Sequence, residues 1–324
     1  MDYQFPHDAN EYELLYKIGH DFISDVYAAR CKTNGQIIAI KIISMDAYPI
    51  DVTDFRKGNS IWISTSHEYL VKYYGSFEVG SSLWILREFM DGGSIGDIMK
   101  YAYRHGFKDE TLIASILKPV LEFLVSFHQD YQIHRSIGTS QILISHDGTV
   151  KLSNLSFSSS LIEHGKRKAT RSSLSYGSSP KETCYLAPEV LTGSGYSQKA
   201  DVWSIGITAI ELATGNLPYD GLNELEKTSS IISGPPPNLY NCSPKRDSAM
   251  QKGQSGKNRE FSPLFIDFIE KCLNKSPDKR PTVKGLLEHK FFRILYSNLN
   301  IPLNQVNTSE QTKTYIHRVL MAQL

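Results

Sequence analysis

Between Tyr12 and Gly80 the apolar residues come in short runs broken by turn residues. Glu13-Leu14-Leu15-Tyr16-Lys17-Ile18 leads into the turn-like Gly19-His20-Asp21, and Asp25-Val26-Tyr27-Ala28-Ala29-Arg30 leads to the hairpin signal Asn34-Gly35. Gln36-Ile37-Ile38-Ala39-Ile40-Lys41-Ile42-Ile43 follows. Three strands joined by turns this short predict an antiparallel sheet, not a doubly wound parallel one. Residues 83–90 predict another strand, and Asp91-Gly92-Gly93-Ser94 a turn whose serine is placed to cap a helix.

Beyond residue 95 the period lengthens. Thr111 to His128 carries Leu112, Ile116, Val120, Leu124 and Phe127 at helical spacing, and Asp201–Thr214 and Pro263–Leu273 predict two more apolar helices. The fold class is therefore α+β and bilobal, with a small antiparallel-sheet N-lobe (about 12–90) and a larger helical C-lobe (about 91–293). Residues 1–11 form an N-terminal extension and 294–324 a C-terminal tail. Residues 242–260 have almost no apolar content and predict a polar surface insertion. In the tail, Tyr315, Ile316, Val319 and Leu320 fall at helical spacing and are expected to pack on the body of the protein.

Composition narrows the class. With 324 residues the chain holds two core-bearing lobes, and a net charge of +1 gives no field to gather nucleic acid or an anionic membrane. The basic run Gly165-Lys166-Arg167-Lys168 is too short to change that and predicts a solvated loop. The four cysteines, Cys31, Cys184, Cys242 and Cys272, lie far apart with no C-x-x-C pair, which suits reduced thiols. Residues 1–11 lack the layout of a secretory signal, and no stretch reads as about 18 apolar residues of a membrane span. A cytoplasmic protein, with the nucleus also open to it, is expected.

Five motifs then fall in the order that protein kinases use. Ile38-Ala39-Ile40-Lys41 resembles the third-strand motif that ends in the phosphate-contacting lysine, and His134-Arg135 the start of the catalytic loop. Ala187-Pro188-Glu189, Asp201-Val202-Trp203-Ser204-Ile205-Gly206 and Arg280 in Asp278-Lys279-Arg280-Pro281 resemble the structural motifs of the helical lobe. The resemblance runs from Tyr12 to Phe292. It places Ile18, Gly19, Val26, Ala39, Lys41, Glu88 and Met90 around a nucleotide cleft.

Phosphoryl transfer asks a protein to position groups and supply charge, so the required parts are few. Here the position of the catalytic base holds Ser136, and that of the metal-binding asparagine holds Gln141. Gly138 stands for the usual lysine, and Ser153-Asn154-Leu155 for Asp-Phe-Gly, which sets the lost metal ligand at Ser153. A neutral serine does not replace a carboxylate on a divalent cation. The loop glycines survive only at Gly19, with Asp21 and Ser24 at the other two positions. The partner of Lys41 should be a glutamate near residue 58 or 59, where Gly58 and Asn59 stand, and Arg87 aligns at the back of the adenine pocket. No catalytic residues and no metal site are expected, and the chain reads as a pseudokinase and not an enzyme.

The pattern of losses resembles the Sterile-20-related adaptor pseudokinases. It does so through Ile133-His134-Arg135-Ser136, Gln141-Ile142-Leu143-Ile144-Ser145, Leu152-Ser153, His164-Gly165 and Phe261-Ser262-Pro263. That resemblance implies an adaptor. It would bind a liver-kinase-B-type serine/threonine kinase together with a helical-repeat scaffold protein, hold the kinase active by allostery and influence its localisation. It also implies ATP bound without magnesium. The Trp-Glu-Phe tail common in that family is absent, since the chain ends Val319-Leu320-Met321-Ala322-Gln323-Leu324. Two other readings remain: an active Sterile-20-like kinase with displaced catalytic groups, for which Asp147 is the nearest acid, and a scaffold unrelated to kinase regulation. Asp147 sits in His146-Asp147-Gly148, which reads as a hairpin turn, and Ser172, Ser173 and Ser175 beside Arg171 read as an exposed serine-rich loop.

Overall fold

A computed structural model describes residues 5–20, 24–46, 52–163, 166–167, 182–240, 261–298 and 309–320. Asp21, His164, Gly165, Lys168, Arg171, the serines at 172, 173 and 175, the insertion 242–260 and the last four residues lie outside them. The N-lobe strands are β1 (Tyr12–His20), β2 (Ser24–Cys31), β3 (Ile37–Ser44), β4 (Tyr73–Val79) and β5 (Ser82–Arg87). They form one sheet in the order β1-β2-β3-β5-β4, with every neighbouring pair antiparallel. Helix α1 (Val52–Ser64) enters between β3 and β4. Because side chains alternate along a strand, Ile38, Ile40 and Leu86 share the outer face. Lys41, Ala39 and Arg87 take the inner one.

The outer face is covered by the chain's own beginning. The Phe5 ring packs tilted against Tyr74 at 4.5 Å between centroids, the Tyr12 hydroxyl donates to Pro6 O at 2.6 Å, and His7 stacks on Phe77. A Cβ at Gly75 would fall 2.6 Å from His7 Nε2, so the strap lies directly on β4. Within what reads in sequence as a lead-in, Phe5 joins the N-lobe core while His7, Asp8 and Asn10 stay exposed.

The helical lobe opens with α2 (Ile95–Ala102), α3 (Glu110–Gln129), β6 (Gln132–Ile133), β7 (Ile142–Ile144), β8 (Val150–Leu152) and β9 (Ser159–Ser160). After it come α4 (Pro188–Leu191), α5 (Lys199–Thr214), α6 (Glu224–Ser233), α7 (Pro263–Cys272), α8 (Val283–Leu287), α9 (Arg293–Asn298) and α10 (Ser309–Leu320). Ser94 caps α2 as its position predicts, its Oγ accepting from Asp97 N at 3.0 Å. Helix α3 is the axle of the lobe, with Leu112, Ile116, Val120, Leu124 and Phe127 all buried. Contrary to the sequence reading, α3 is long and apolar enough to cross a membrane, alone in this among the described residues. Its burial between the other helices accounts for that apolarity.

Two charges hold the lobe's far end. Arg280 donates to both carboxylate oxygens of Glu189, at 2.7 and 2.8 Å, and its guanidinium lies 5.1 Å from the Trp203 ring. Both side chains are buried, and further Arg280 donors reach Asn274 O and Lys199 O. Cys31, Cys184 and Cys272 are buried free thiols.

Candidate functional site

The loop between β6 and β7 is set by one buried carboxylate. Asp201, at the start of α5, accepts from His134 N and Arg135 N at 2.9 Å each and meets His128 Nε2 at 2.8 Å. Burial alone would raise its pKa, but the hydrogen bonds from the His128 side chain and the His134 main chain hold it below the usual carboxylate range. These bonds keep Arg135 in the left-handed region at φ 68°, where its guanidinium packs over the Tyr196 ring. His134 is fully buried, and desolvation pushes its pKa down to about 4 against the pull of Asp201. It is a neutral core histidine that fixes the loop. The sequence motifs point to Asp201; the partner they miss is His128, at the last turn of α3.

Ser136 follows, its backbone N donating to His134 Nδ1 at 3.3 Å. A serine hydroxyl at this place has no basicity near neutral pH. Two residues on, a Cβ at Gly138 would fall 2.9 Å from Tyr185 Cζ, because the Tyr185 ring occupies the space. The lysine of the motif is thus missing, and the room for it is filled. Asp147 lies at the tip of the β7–β8 hairpin, accepting from Thr149 N at 2.8 Å and Thr149 Oγ1 at 2.9 Å, in the role of a turn residue.

Gln141 and Ser153 stand next to each other at the root of that hairpin. Ser153 N donates to Gln141 O at 2.9 Å, and Ser153 Oγ to Gln141 Oε1 at 3.2 Å. Two positions expected to share a cation instead satisfy each other as neutral groups. The chain reverses at Asn154, one residue beyond the Ser153 position that the sequence reading singles out. Asn154 has φ 68° and precedes the short turn Leu155–Phe157 without a side-chain cap bond, and its Oδ1 is buried with no hydrogen-bond partner among the described residues. Asparagine tolerates the left-handed region better than most residues, which is the signal that could have marked it.

Helix α1 is pressed onto this turn. Ser156 Oγ donates to Asn59 Oδ1 at 3.0 Å, and a Cβ at Gly58 would fall 2.2 Å from Ser156 O. The two positions where a partner for Lys41 is expected therefore serve contact between α1 and the turn. No carboxylate fits at residue 58 in this arrangement.

Above the floor, the register aligns Gly19 with Val26, Val26 with Lys41 and Ala39 with Arg87. Val26, Ala39 and Lys41 are buried on the inner face, Ile18 and Gly19 half-buried at its edge, and Met90 buried below the connection between the lobes. Arg87 is itself buried on the same face, diagonal to Lys41 across β3 and β5. Glu88 does not turn its carboxylate to this space. It grips Lys151 Nζ through both oxygens, at 2.7 and 2.8 Å, and accepts from Lys72 N at 3.0 Å. Any part of Glu88 in nucleotide binding would fall to its main chain.

Magnesium is the ion this kind of cleft implies, and the donors here do not fit it. Ser136, Gln141, Ser153 and Asn154 are all neutral, whereas Mg²⁺ takes one or two carboxylates. Among the described residues no three His, Cys, Asp or Glu side chains come together to hold a metal.

The protein kinase domain family matches residues 12–292. The chain is 32% identical to STE20-related kinase adapter protein beta of Mus musculus over 319 residues, covering 88% of this chain and 76% of that protein. It is 32% identical to serine/threonine-protein kinase ppk11 of Schizosaccharomyces pombe, over 91% of this chain and 85% of the kinase. Serine/threonine-protein kinase fray2 of Dictyostelium discoideum is 34% identical over 89% of this chain, which spans only 26% of fray2. The chain belongs to the protein kinase domain family, where its relatives include both a STE20-related kinase adapter and serine/threonine-protein kinases.

Proposed function

We propose that the chain is a catalytically inactive pseudokinase that works as an adaptor. The observation that carries this reading is the neutral cleft floor: Ser153 bonded to Gln141, with Ser136 where a base is needed. Positioning and charge are nearly all that phosphoryl transfer takes from a protein, and this floor supplies no charge. The client is a liver-kinase-B-type serine/threonine kinase, engaged together with a helical-repeat scaffold protein in the cytoplasm, with access to the nucleus. The adaptor acts by population shift: binding only the active form of the client moves the client's equilibrium by the difference in affinity.

ATP without magnesium is the ligand that suits the cleft. Ile18, Val26 and Ala39 offer an apolar ceiling, Lys41 an ammonium on the same face, and the main chain at Gly19, Glu88 and Met90 the edges. The bound nucleotide would stabilise the closed arrangement of the lobes by mass action.

The test is phosphate transfer in a mixture of this chain, the client kinase and the scaffold, with a parallel run using a catalytically dead client. Activity that needs the live client and rises with this chain is expected. Transfer that persists with the dead client would make this chain an enzyme.

A further inference from the structure

Helix α10 has a seat of its own. It lies against the end of α2, the start of α3 and the tip of the β7–β8 hairpin. Thr312, Ile316 and Leu320 recur every fourth residue and are buried, with Tyr315 and Val319 packed alongside. The polar rim is equally specific. Tyr103 OH donates to Val319 O at 3.2 Å, the Tyr315 hydroxyl bonds the Asp109 carboxylate, and His317 Nδ1 bonds His146 O. At the hairpin tip Gly148 has φ +85°, and a Cβ there would fall 2.0 Å from Lys313 O. Only glycine lets the helix backbone lie this close to the hairpin.

Charge matches across the seat. Asp109 and Asp147 belong to its walls, while Lys313, His317 and Arg318 belong to the helix. Burial pushes the Asp147 carboxyl up, but hydrogen bonds from Ser145 and Thr149, with Lys313 nearby, leave it below the usual range. The walls are also complete without their occupant: Ser94 caps α2, β7 pairs with β8, and α3 is packed by the rest of the lobe. A helix of 12 residues is marginal in water by itself, so α10 depends on the seat more than the seat depends on α10.

We propose that this groove is a docking site for a basic amphipathic helix, that α10 fills it in cis, and that a partner's helix of the same chemistry displaces α10. The proposal does not depend on the adaptor reading. The occupant is defined by what α10 presents: apolar anchors at the spacing of Ile316 and Leu320, a tyrosine facing Asp109, and a lysine beside Asp147. In the undisturbed chain α10 competes with any incoming helix, so access is held back until a better ligand or a change in α10 frees the groove.

The test uses the full chain with Ile316→Asp and Leu320→Asp, which empties the groove without altering its walls. The probe is a fluorescent peptide with the sequence of residues 309–320, followed by anisotropy. Hydrogen exchange reports release of α10, and thermal melting reports the fold. The double variant should melt cooperatively and bind the peptide saturably, at least tenfold more tightly than the unaltered chain. Adding Gly148→Ala should abolish that binding, and a peptide carrying Lys313→Glu and Arg318→Glu should bind more weakly. The proposal is overturned if a folded variant with α10 released does not bind the peptide, or if variant and unaltered chain bind it equally. Loss of the cooperative melt would also overturn it, because α10 would then be a piece of the core.

Discussion

Replacing Gly58 by alanine should lower stability even though the site is helical. In an exposed helix this change gains up to about 1 kcal/mol, since glycine pays more backbone entropy than alanine. At residue 58 the new methyl would meet Ser156 O at 2.2 Å, Ser156 C at 2.5 Å and Leu155 O at 2.8 Å. All three are backbone atoms, so no side chain can swing aside, and α1 must move off the turn by about 1 Å to reach ordinary contact at 3.4 Å. Overpacking costs about 1–3 kcal/mol, and a clash this close with backbone belongs at the upper end, which leaves a net loss of about 2 kcal/mol. Gly285→Ala in α8 is the matched control, because its Cβ would meet only Thr282 Oγ1 at 3.5 Å and Pro281 Cβ at 3.6 Å. Urea unfolding of the two variants should give shifts of opposite sign, Gly285→Ala gaining a few tenths to about 1 kcal/mol. A Gly58→Ala chain as stable as the unaltered one would refute the packing argument. It would also reopen residue 58 to a glutamate partner for Lys41.

Arg280→Ala should cost about 3–5 kcal/mol, because it strands a buried Glu189 carboxylate. Replacing both residues by methionine should recover most of that loss in denaturant titrations, and a double variant no better than the single one would contradict the account. Stability should also fall with acid in a window set by His134. Its folded pKa of about 4 lies below the unfolded value near 6.5, so the unfolded chain binds the extra proton first. The loss begins as pH drops below about 6.5 and amounts to about 2 kcal/mol by pH 4.5. Chemical denaturation at pH 7 and 4.5 measures it, and an equal stability at the two values would exclude a neutral buried His134. Ser94→Ala removes the cap of α2 and should cost about 1 kcal/mol in the same assay, with no change if Asp97 N finds another acceptor.

Much of this fold is legible in the sequence because local signals and global packing agree. The α3 periodicity, the Ser94 cap and the Glu189–Arg280 spacing each point to what the structure contains. Strand β4 is harder to single out: Tyr73–Val79 is half-buried on both faces and interrupted by Gly75, so it shows no clean alternation. Phe5 and His7 look like part of a polar lead-in because their partners, Tyr74, Gly75 and Phe77, are about seventy residues away. The cleft divides in the same way. The neutral residues at the expected base and metal positions, Ser136, Gln141 and Ser153, are visible as residue types. What replaces them is not, since the Tyr185 ring beside Gly138 and the carbonyl of Ser156 beside Gly58 are long-range contacts. The role of Asn154 depends on a single backbone angle.

The hydrogen bond between Ser153 and Gln141 joins two side chains that do not ionise at any physiological pH. A carboxylate in place of Ser153 would carry a charge that a cation has to offset, and the root of the hairpin would then respond to the ionic state of its surroundings. Here the root keeps one shape through such swings, as fixed as a keystone. Ser153 is buried, so the hairpin root holds the same neutral contact whatever ions surround the protein.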